Sequence, residues 1–291
     1  MEEDLRKRHE LLGHRFPSIK HRQIIRVNTL MIEEKELIAR LIKAKIYLKK
    51  ISFLKHAYSA KSSFSLGAIP EYLLGYFYIQ ETASQCAVEV LDPKPEQNIL
   101  DCCASPGGKT TQIAQHMNNT GFVVALDNKS KRILSLKANL ERCGVKNTAV
   151  FLRDITHSNN DFCDFDKILV DAPCSGNYVV DEEWFEKHTF SDIEKNAYLQ
   201  YNIMESIITA FANKNTEIIY STCSLEPEEN EFLIQRLIDD FKIKLLKVDV
   251  GSPASTEIFG RKLDKNIEKC ARFWPDVEKT QPFFIAKFKI N

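Results

Sequence analysis

Cys174 and Cys223 stand in matching surroundings. Asp171-Ala172-Pro173-Cys174-Ser175-Gly176 and Tyr220-Ser221-Thr222-Cys223-Ser224 each follow a short apolar run and consist mostly of small residues. Upstream, Asp101-Cys102-Cys103-Ala104-Ser105-Pro106-Gly107-Gly108-Lys109-Thr110 reads as a glycine turn leading from a strand into a helix. Glycines let a ligand approach the backbone, and a helix N-terminus offers unpaired N–H groups to an anionic or polar group. A cofactor pocket facing a thiolate nucleophile is the combined reading. That is the equipment needed to alkylate an unreactive pyrimidine carbon.

Carbon 5 of cytosine is a weak nucleophile and does not attack a methylsulfonium unaided. A thiolate adding to carbon 6 breaks aromaticity and makes carbon 5 enamine-like, so one hard step becomes two easier ones. The attacking cysteine needs positive charge or helix dipoles nearby to ionise. A second group must protonate or hydrogen-bond ring N3, a role open to Asp171. A third helps the C5 proton and the thiolate leave. Cys174 and Cys223 both follow predicted strands, and residue chemistry alone leaves open which one attacks. Cys86, Cys143, Cys163 and Cys270 read instead as inert packing.

The glycine turn has a competitor. Gly108-Lys109-Thr110 matches the end of the ATP-binding P-loop, but that pattern needs Gly where the chain has Cys103. A cofactor carboxylate is the better target; a bare turn with no ligand is the plain alternative. Asp127 closes the next predicted strand about 20 residues on, where a carboxylate commonly binds ribose hydroxyls. Asp154 closes the third, placed to accept from an adenine amino group, and Asp171 closes the fourth. A single such Asp usually only caps a helix. Four in register, counting Asp101, point to a ligand at the carboxyl ends of the strands.

The elements that must position these residues follow from pattern. Strands are expected at Asn98–Cys102, Phe122–Asp127, Ala149–Asp154, Lys167–Asp171 and Glu217–Ser221, with helices at Lys109–Met117, Lys129–Cys143, Asp192–Asn213 and Pro227–Phe241. Short β-branched runs alternating with helices imply a parallel sheet covered on both faces. Lys242–Val248 and Phe283–Ile290 should finish it as a hairpin-like pair with one strand reversed. Before Pro95 the chain differs: a strand at Ile24–Leu30, a helix burying Leu37, Ile38, Leu41 and Ile42, loops with short strands from Ser62 to Gln80, and a helix from Thr82 to Leu91 ending at Asp92-Pro93. Two regions are expected, a basic RNA-binding one over 1–94 and a catalytic one over 95–291.

At 291 residues the chain has core enough without disulfides, so its eight cysteines read as reduced thiols. No CxxC pair occurs, and adjacent Cys102 and Cys103 are poorly spaced for zinc, so no metal is expected. No apolar run approaches the roughly 20 residues that span a bilayer, and the charged N-terminus lacks a signal-peptide core. A cytoplasmic protein without a membrane partner is expected. Net charge is zero, but residues 1–62 hold 15 Lys/Arg against 7 Asp/Glu, a balance of +8, and the remainder holds 25 against 33, or −8. A basic arm that grips RNA phosphates, through Arg6, Lys7, Arg8, Arg15, Lys20 and Arg22, fits that asymmetry. A merely solvated helix surface fits it equally.

The chain resembles the RNA cytosine-5 methyltransferases of the NOL1/NOP2/Sun family, most of all the small archaeal tRNA enzymes. The resemblance runs from Ile24 to the C-terminus. It includes Arg26-Val27-Asn28-Thr29-Leu30, Gly75-Tyr76-Phe77-Tyr78-Ile79-Gln80-Glu81-Thr82-Ala83-Ser84, the glycine turn, both cysteine motifs with the continuation Leu225-Glu226-Pro227-Glu228-Glu229-Asn230-Glu231, and Gln281-Pro282-Phe283-Phe284-Ile285-Ala286-Lys287. It implies a class I S-adenosylmethionine-dependent methyltransferase, with a Rossmann-like seven-stranded mixed sheet whose last pair is reversed and a small α+β N-terminal domain. It further implies Cys223 as nucleophile and Cys174 as the residue that assists release. Cofactor contacts fall on Cys103, Ala104, Ser105, Pro106, Gly107, Gly108, Lys109, Asp127, Arg132, Asp154 and Asp171. Two positions depart from the family pattern: Ser105 replaces a usual Ala, and Asp276 a commonly basic residue. The expected partner is RNA, tRNA before ribosomal RNA. A catalytically silent RNA-binding assembly factor is the rival from another class. DNA is disfavoured, because one thiol would then suffice.

Overall fold

The computed structural model describes residues 4–13, 23–157, 159 and 161–291. Its contacts divide the chain into two compact units, one of residues 20–153 and one of residues 1–19 with 154–291. The divisions therefore fall at residues 19/20 and 153/154 rather than at residue 94. Arg15, Lys20 and Arg22 of the expected basic arm lie outside the described residues.

The described N-terminal segment is a helix, α1 (Leu5–Leu11), capped by the Asp4 carboxylate, which accepts from the Lys7 N–H at 3.1 Å. Arg8 and His9 are buried. The Arg8 guanidinium lies 2.6 Å from Glu228 Oε1 and 3.4 Å from Glu226 Oε2, and His9 Nε2 lies 2.7 Å from Glu226 Oε1. Arg8 is thus committed to internal carboxylates, against the expectation that it would grip phosphate.

The unit of residues 20–153 begins with a four-stranded antiparallel sheet. Its strand β1 (Gln23–Val27) is followed by α2 (Glu34–Lys43), β2 (Tyr47–Lys50), β3 (Ala57–Lys61), the short α3 (Pro70–Leu73) and β4 (Phe77–Ile79), in the order β2-β3-β1-β4. Leu37 and Leu41 of α2, four apart, enter a core with Ile25, Val27 and Phe77. Ile42, expected there too, is 60% exposed, because it lies a residue past that stripe. Arg26 is buried, whereas Lys35, Lys43, Lys45, Lys49, Lys55 and Lys61 in and around this sheet are exposed.

Two of the sequence motifs tie this sheet to the strands that follow. Asn28 Nδ2 donates to the carbonyls of Gly75 and Cys143, each at 2.8 Å. Gly75 has φ +73°, and a Cβ there would stand 1.8 Å from the Arg142 carbonyl oxygen, so only glycine fits. After α4 (Thr82–Leu91) come β5 (Asn98–Asp101), α5 (Gly108–His116), β6 (Phe122–Asp127), α6 (Ser130–Arg142) and β7 (Thr148–Leu152), with the three strands parallel and β6 in the middle.

The other unit holds β8 (Lys167–Asp171), α7 (Trp184–Lys187), α8 (Phe190–Ser206), β9 (Glu217–Thr222), α9 (Glu231–Phe241) and six short or terminal strands: β10 (Lys244–Leu246), β11 (Ser252–Pro253), β12 (Glu257–Ile258), β13 (Arg261–Lys262), β14 (Ala271–Phe273) and β15 (Phe283–Lys289). Strands follow the order β11-β14-β15-β9-β8, with β10 also paired to β15 and β12–β13 a separate hairpin. Ile168-Leu169-Val170 and Ile218-Ile219-Tyr220 are fully buried, the near-continuous apolar runs of strands covered on both faces. β8 and β9 are parallel, whereas β15 runs against both β9 and β10. One reversed strand was expected. Its place between β9 and β14, rather than in a simple hairpin with β10, was not.

Candidate active site

In the first unit the glycine turn leaves β5 at Asp101, whose Oδ2 accepts from Thr110 Oγ1 at 2.7 Å, so strand end and helix start are joined. The Ala104 N–H donates to the Leu126 carbonyl at 2.9 Å and fastens the loop to β6. Ser105 and Arg132 exchange bonds, Ser105 Oγ donating to the Arg132 carbonyl and Arg132 Nη2 to the Ser105 carbonyl, each at 2.7 Å. The hydroxyl that distinguishes Ser105 from the usual Ala therefore has a partner. The Ser105–Pro106 peptide is cis, and Asn139 Nδ2 donates to the Pro106 carbonyl at 2.9 Å. Gly107 has φ +104°, and a Cβ on it would meet Leu136 Cδ1 at 3.0 Å; it forms the N-cap of α5. Cys103 and Lys109 are half-buried on either side of this turn.

Asp127, at the end of β6, is 3% exposed. Its Oδ1 accepts from the Lys129 N–H at 3.0 Å, while Oδ2 is buried without a hydrogen-bond partner, 3.4 Å from Arg132 Nη2. A buried acceptor left unsatisfied is costly, by about 1–3 kcal/mol, and points to a ligand that donates. Beside the first turn of α5 lies the buried Arg26 guanidinium, bonded to neutral groups: Gln115 Oε1 at 2.8 Å, Thr111 Oγ1 at 2.7 Å and the Gly108 carbonyl at 3.4 Å. Burial draws its pKa down to about 10, still charged at neutral pH. Hydroxyl-accepting Asp127 and a helix N-terminus backed by an arginine suit a ligand with a ribose and a carboxylate.

The second unit gathers the thiols. Parallel pairing sets Asp171 opposite Ser221, and Ser221 Oγ donates to Asp171 Oδ1 at 2.9 Å. Cys174 lies three residues past Asp171 and Cys223 two past Ser221, so both emerge at the same height, with Sγ atoms 3.0 Å apart. The hydrogen bond to the Cys223 sulfur, then burial, then the negative charge on its neighbours push the Cys174 thiol well above the ordinary range. Two thiolates cannot sit this close, so the two sulfurs share a proton that either can donate.

Polar side chains lock both cysteine loops. Asn177 Nδ2 donates to the Cys223 carbonyl at 2.9 Å, and Trp184 Nε1 to the Ser175 carbonyl at 2.7 Å. Glu226, Glu229, Asn230 and Glu231 are all 0% exposed. Glu226 meets Arg8 and His9; Asn230 accepts from Thr222 Oγ1 at 2.6 Å and donates to the Ser224 carbonyl at 2.9 Å. Glu231 holds Arg272, whose Nη1 donates to the Leu225 carbonyl at 2.8 Å. Nothing in the sequence reading gave these residues roles. Carboxylates crowded before a helix ordinarily signal a solvated first turn, and only their burial reveals the clamp.

Other expectations divide. Cys86, Cys143 and Cys270 are core, and burial pushes Cys86 up to about 12. Cys163 is only half-buried, on a loop, and so is not the packing residue expected. Asp154 lies two residues beyond the end of β7, exposed, with Oδ1 accepting from the Thr156 N–H at 3.0 Å and its hydroxyl at 2.7 Å. It falls in the unit of the thiols, whereas Ser105, Gly107, Asp127 and Arg132 share the other.

The model of the 16S rRNA methyltransferase RsmB/F family matches residues 88–289. A tRNA (cytosine(49)-C(5))-methyltransferase of Pyrococcus abyssi is 36% identical over 277 residues, 92% of this chain and 88% of that protein. A 28S rRNA (cytosine-C(5))-methyltransferase of Mus musculus is 34% identical over 276 residues, 91% of this chain but 35% of the relative, so the chain spans about a third of that protein's length. Among solved structures, a methyltransferase homolog from Pyrococcus horikoshii superposes with a TM-score of 0.85 at 37% identity, covering 98% of this chain and 90% of the other. NSun6 from the same organism, solved with the S-adenosylmethionine analogue SFG, gives 0.82 at 26% identity, covering 98% and 93%. The fold is that of the class I methyltransferases.

Proposed function

The chain belongs to the RsmB/F methyltransferase family, and from that premise we propose that it transfers a methyl group from S-adenosylmethionine to carbon 5 of a cytosine in tRNA. The observation that carries the reading is the thiol pair, 3.0 Å apart at the ends of adjacent parallel strands beside Asp171. In this proposal Cys223 attacks. Cys223 has the Cys174 sulfur 3.0 Å away, within hydrogen-bond reach. Its sulfur bonds to carbon 6 and the ring electrons shift toward carbon 5, while Asp171, oriented by Ser221, protonates or hydrogen-bonds N3. Carbon 5 would then take the methyl group as the methyl–sulfonium bond breaks, its electron pair staying on the departing sulfur. Transfer of the C5 proton to a base returns an electron pair to the ring and expels the Cys223 thiolate, with Cys174 assisting.

S-adenosylmethionine, when bound, supplies the electrophilic methyl group. Asp127 would take its ribose hydroxyls, satisfying the orphaned Oδ2, and the turn Cys103–Lys109 its methionine end, with Arg132 bracing Ser105. Asp154 and Asp171 complete the proposed contacts. Exposed lysines of α2 and the β2–β3 hairpin are the proposed phosphate contacts. Among the described residues no helix is long and apolar enough to cross a membrane.

The relative of matching length acts on tRNA, which favours tRNA over ribosomal RNA. The test is incubation of the protein with unmodified tRNA and, separately, ribosomal RNA, using labelled cofactor, followed by mapping of 5-methylcytosine. Label confined to ribosomal RNA would overturn the substrate. Cofactor binding without transfer to either RNA would overturn the enzyme itself in favour of an assembly factor.

A further inference from the structure

Glu229 is 0% exposed, yet its carboxylate receives four donors. Oε2 accepts from the Ser175 N–H at 3.0 Å and from Gln200 Nε2 at 2.7 Å; Oε1 accepts from Ser224 Oγ at 2.9 Å and from Ser175 Oγ. Ser175 follows Cys174 and Ser224 follows Cys223, so one carboxylate clips the residue next to each thiol. The two hydroxyls also lie 3.1 Å from each other, and Gln200, reaching in from α8, donates to the Pro173 carbonyl at 2.8 Å. Tyr220 OH donates to the Glu229 carbonyl at 2.7 Å, which fixes the backbone from which the clip extends.

We infer that Glu229 is a positioning residue of the methyl-transfer site, holding Cys174 and Cys223 at their working separation by binding both following serines. The inference rests on the proposed function, since only a reaction that uses both thiols needs their spacing fixed. An acid buried for packing alone could be satisfied anywhere. This one joins two loops 49 positions apart in sequence, at the residues next to both thiols. Burial pushes the carboxyl above its ordinary range, opposed by its donors, so the clip is held at an electrostatic cost that a neutral core residue would avoid. Glu229 is also among the charges that raise the Cys174 thiol.

Glu229→Gln keeps an acceptor for Ser175 N–H and Gln200, and its amide can donate to the two hydroxyls. Glu229→Ala removes the clip. The expected result is that Glu229→Ala lowers kcat by about 100-fold, the effect of misplacing a reacting group by 1 Å, with cofactor Kd and tRNA KM unchanged, and that Glu229→Gln restores most of the loss. A second measurement needs no RNA and so separates failure of this inference from failure of the proposed function. Phenylarsine oxide condenses with two adjacent thiols, forming two As–S bonds and releasing one water. Wild type and Glu229→Gln should take it up at a site that Cys174→Ser abolishes, whereas Glu229→Ala should not. Unchanged kcat in Glu229→Ala, equal damage in Glu229→Gln, or uptake of the arsenical by Glu229→Ala at the wild-type rate would each overturn the inference. Should Glu229→Ala fail to fold, Glu229→Asp, which shortens the clip, takes its place in both measurements, with the same outcomes deciding.

Discussion

The glycine turn and the thiol loops both lie at the carboxyl ends of parallel strands, yet their buried acids are satisfied differently. Around the turn, Asp127 Oδ2 is buried with no hydrogen-bond partner and the Arg26 charge faces only neutral acceptors. Around the thiols, Glu226, Glu229, Asn230 and Glu231 are each held by protein donors or cations, and the loops are fastened at Ser175, Cys223, Ser224 and Leu225. A binding site has to leave groups short of partners, because the ligand supplies them. A covalent site cannot tolerate that looseness, since its nucleophile must stay within a narrow range of one attack geometry. The contrast separates two roles that their sequence motifs present alike, as small residues after a strand.

Breaking the thiol side should have the largest effect. Cys223→Ala is expected to abolish both methyl transfer and any covalent RNA adduct, and Cys174→Ala to trap an adduct resistant to denaturing electrophoresis. An adduct in Cys223→Ala but none in Cys174→Ala would reverse the roles. Next comes the clamp behind the loop. Arg272 and Glu231 are both buried, so Glu231→Ala strands a guanidinium and should cost about 3–5 kcal/mol in denaturant unfolding. A loss below 1 kcal/mol would mean that Arg272 finds solvent.

On the binding side the effects should be smaller and confined to ligand affinity. Asp127→Ala should weaken cofactor binding by about 1–3 kcal/mol in calorimetry. Unaltered affinity would take Asp127 out of the site. The smallest effect is expected at the surface. Neutralising Lys43, Lys45, Lys49 and Lys61 together should flatten the log–log salt dependence of RNA affinity by roughly 0.7 per lost phosphate contact. Arg8→Ala should leave that slope alone and lower stability instead. Parallel salt lines for wild type and the lysine variant would show those lysines to be mere solvated surface.

What could be read from the chain was local. Phe122–Asp127 and Lys167–Asp171 are strands to the residue, because each is a short β-branched run ended by an acid. The β2–β3 hairpin escaped notice since Tyr47-Leu48-Lys49-Lys50 has little buried surface and no clean alternation. Both thiols and Asp127 were legible from their motifs. Glu229, Gln200, Trp184 and Asn177 were not, because their partners stand 5 to 54 positions away and no local pattern encodes a pairing of that kind. Charge counting failed at Arg8 for a related reason: a count assigns every cation to the surface, while buried Glu226 and half-buried Glu228 call this one inside.

The place of β15 bears on the order in which the protein is made. Strand β9, which ends just before Cys223, has β8 on one side and β15, residues 283–289, on the other. A ribosome delivers β8, β9 and both cysteine loops well before Phe283 exists. Until then β9 is an edge strand with open backbone groups, a template for mispairing. Arg272, which pins Leu225 and Glu231, also arrives late, on β14. Both thiols and the Glu229 clip are therefore made before the strand that covers β9 and the arginine that pins Leu225, so the last strands close over a site whose parts already exist.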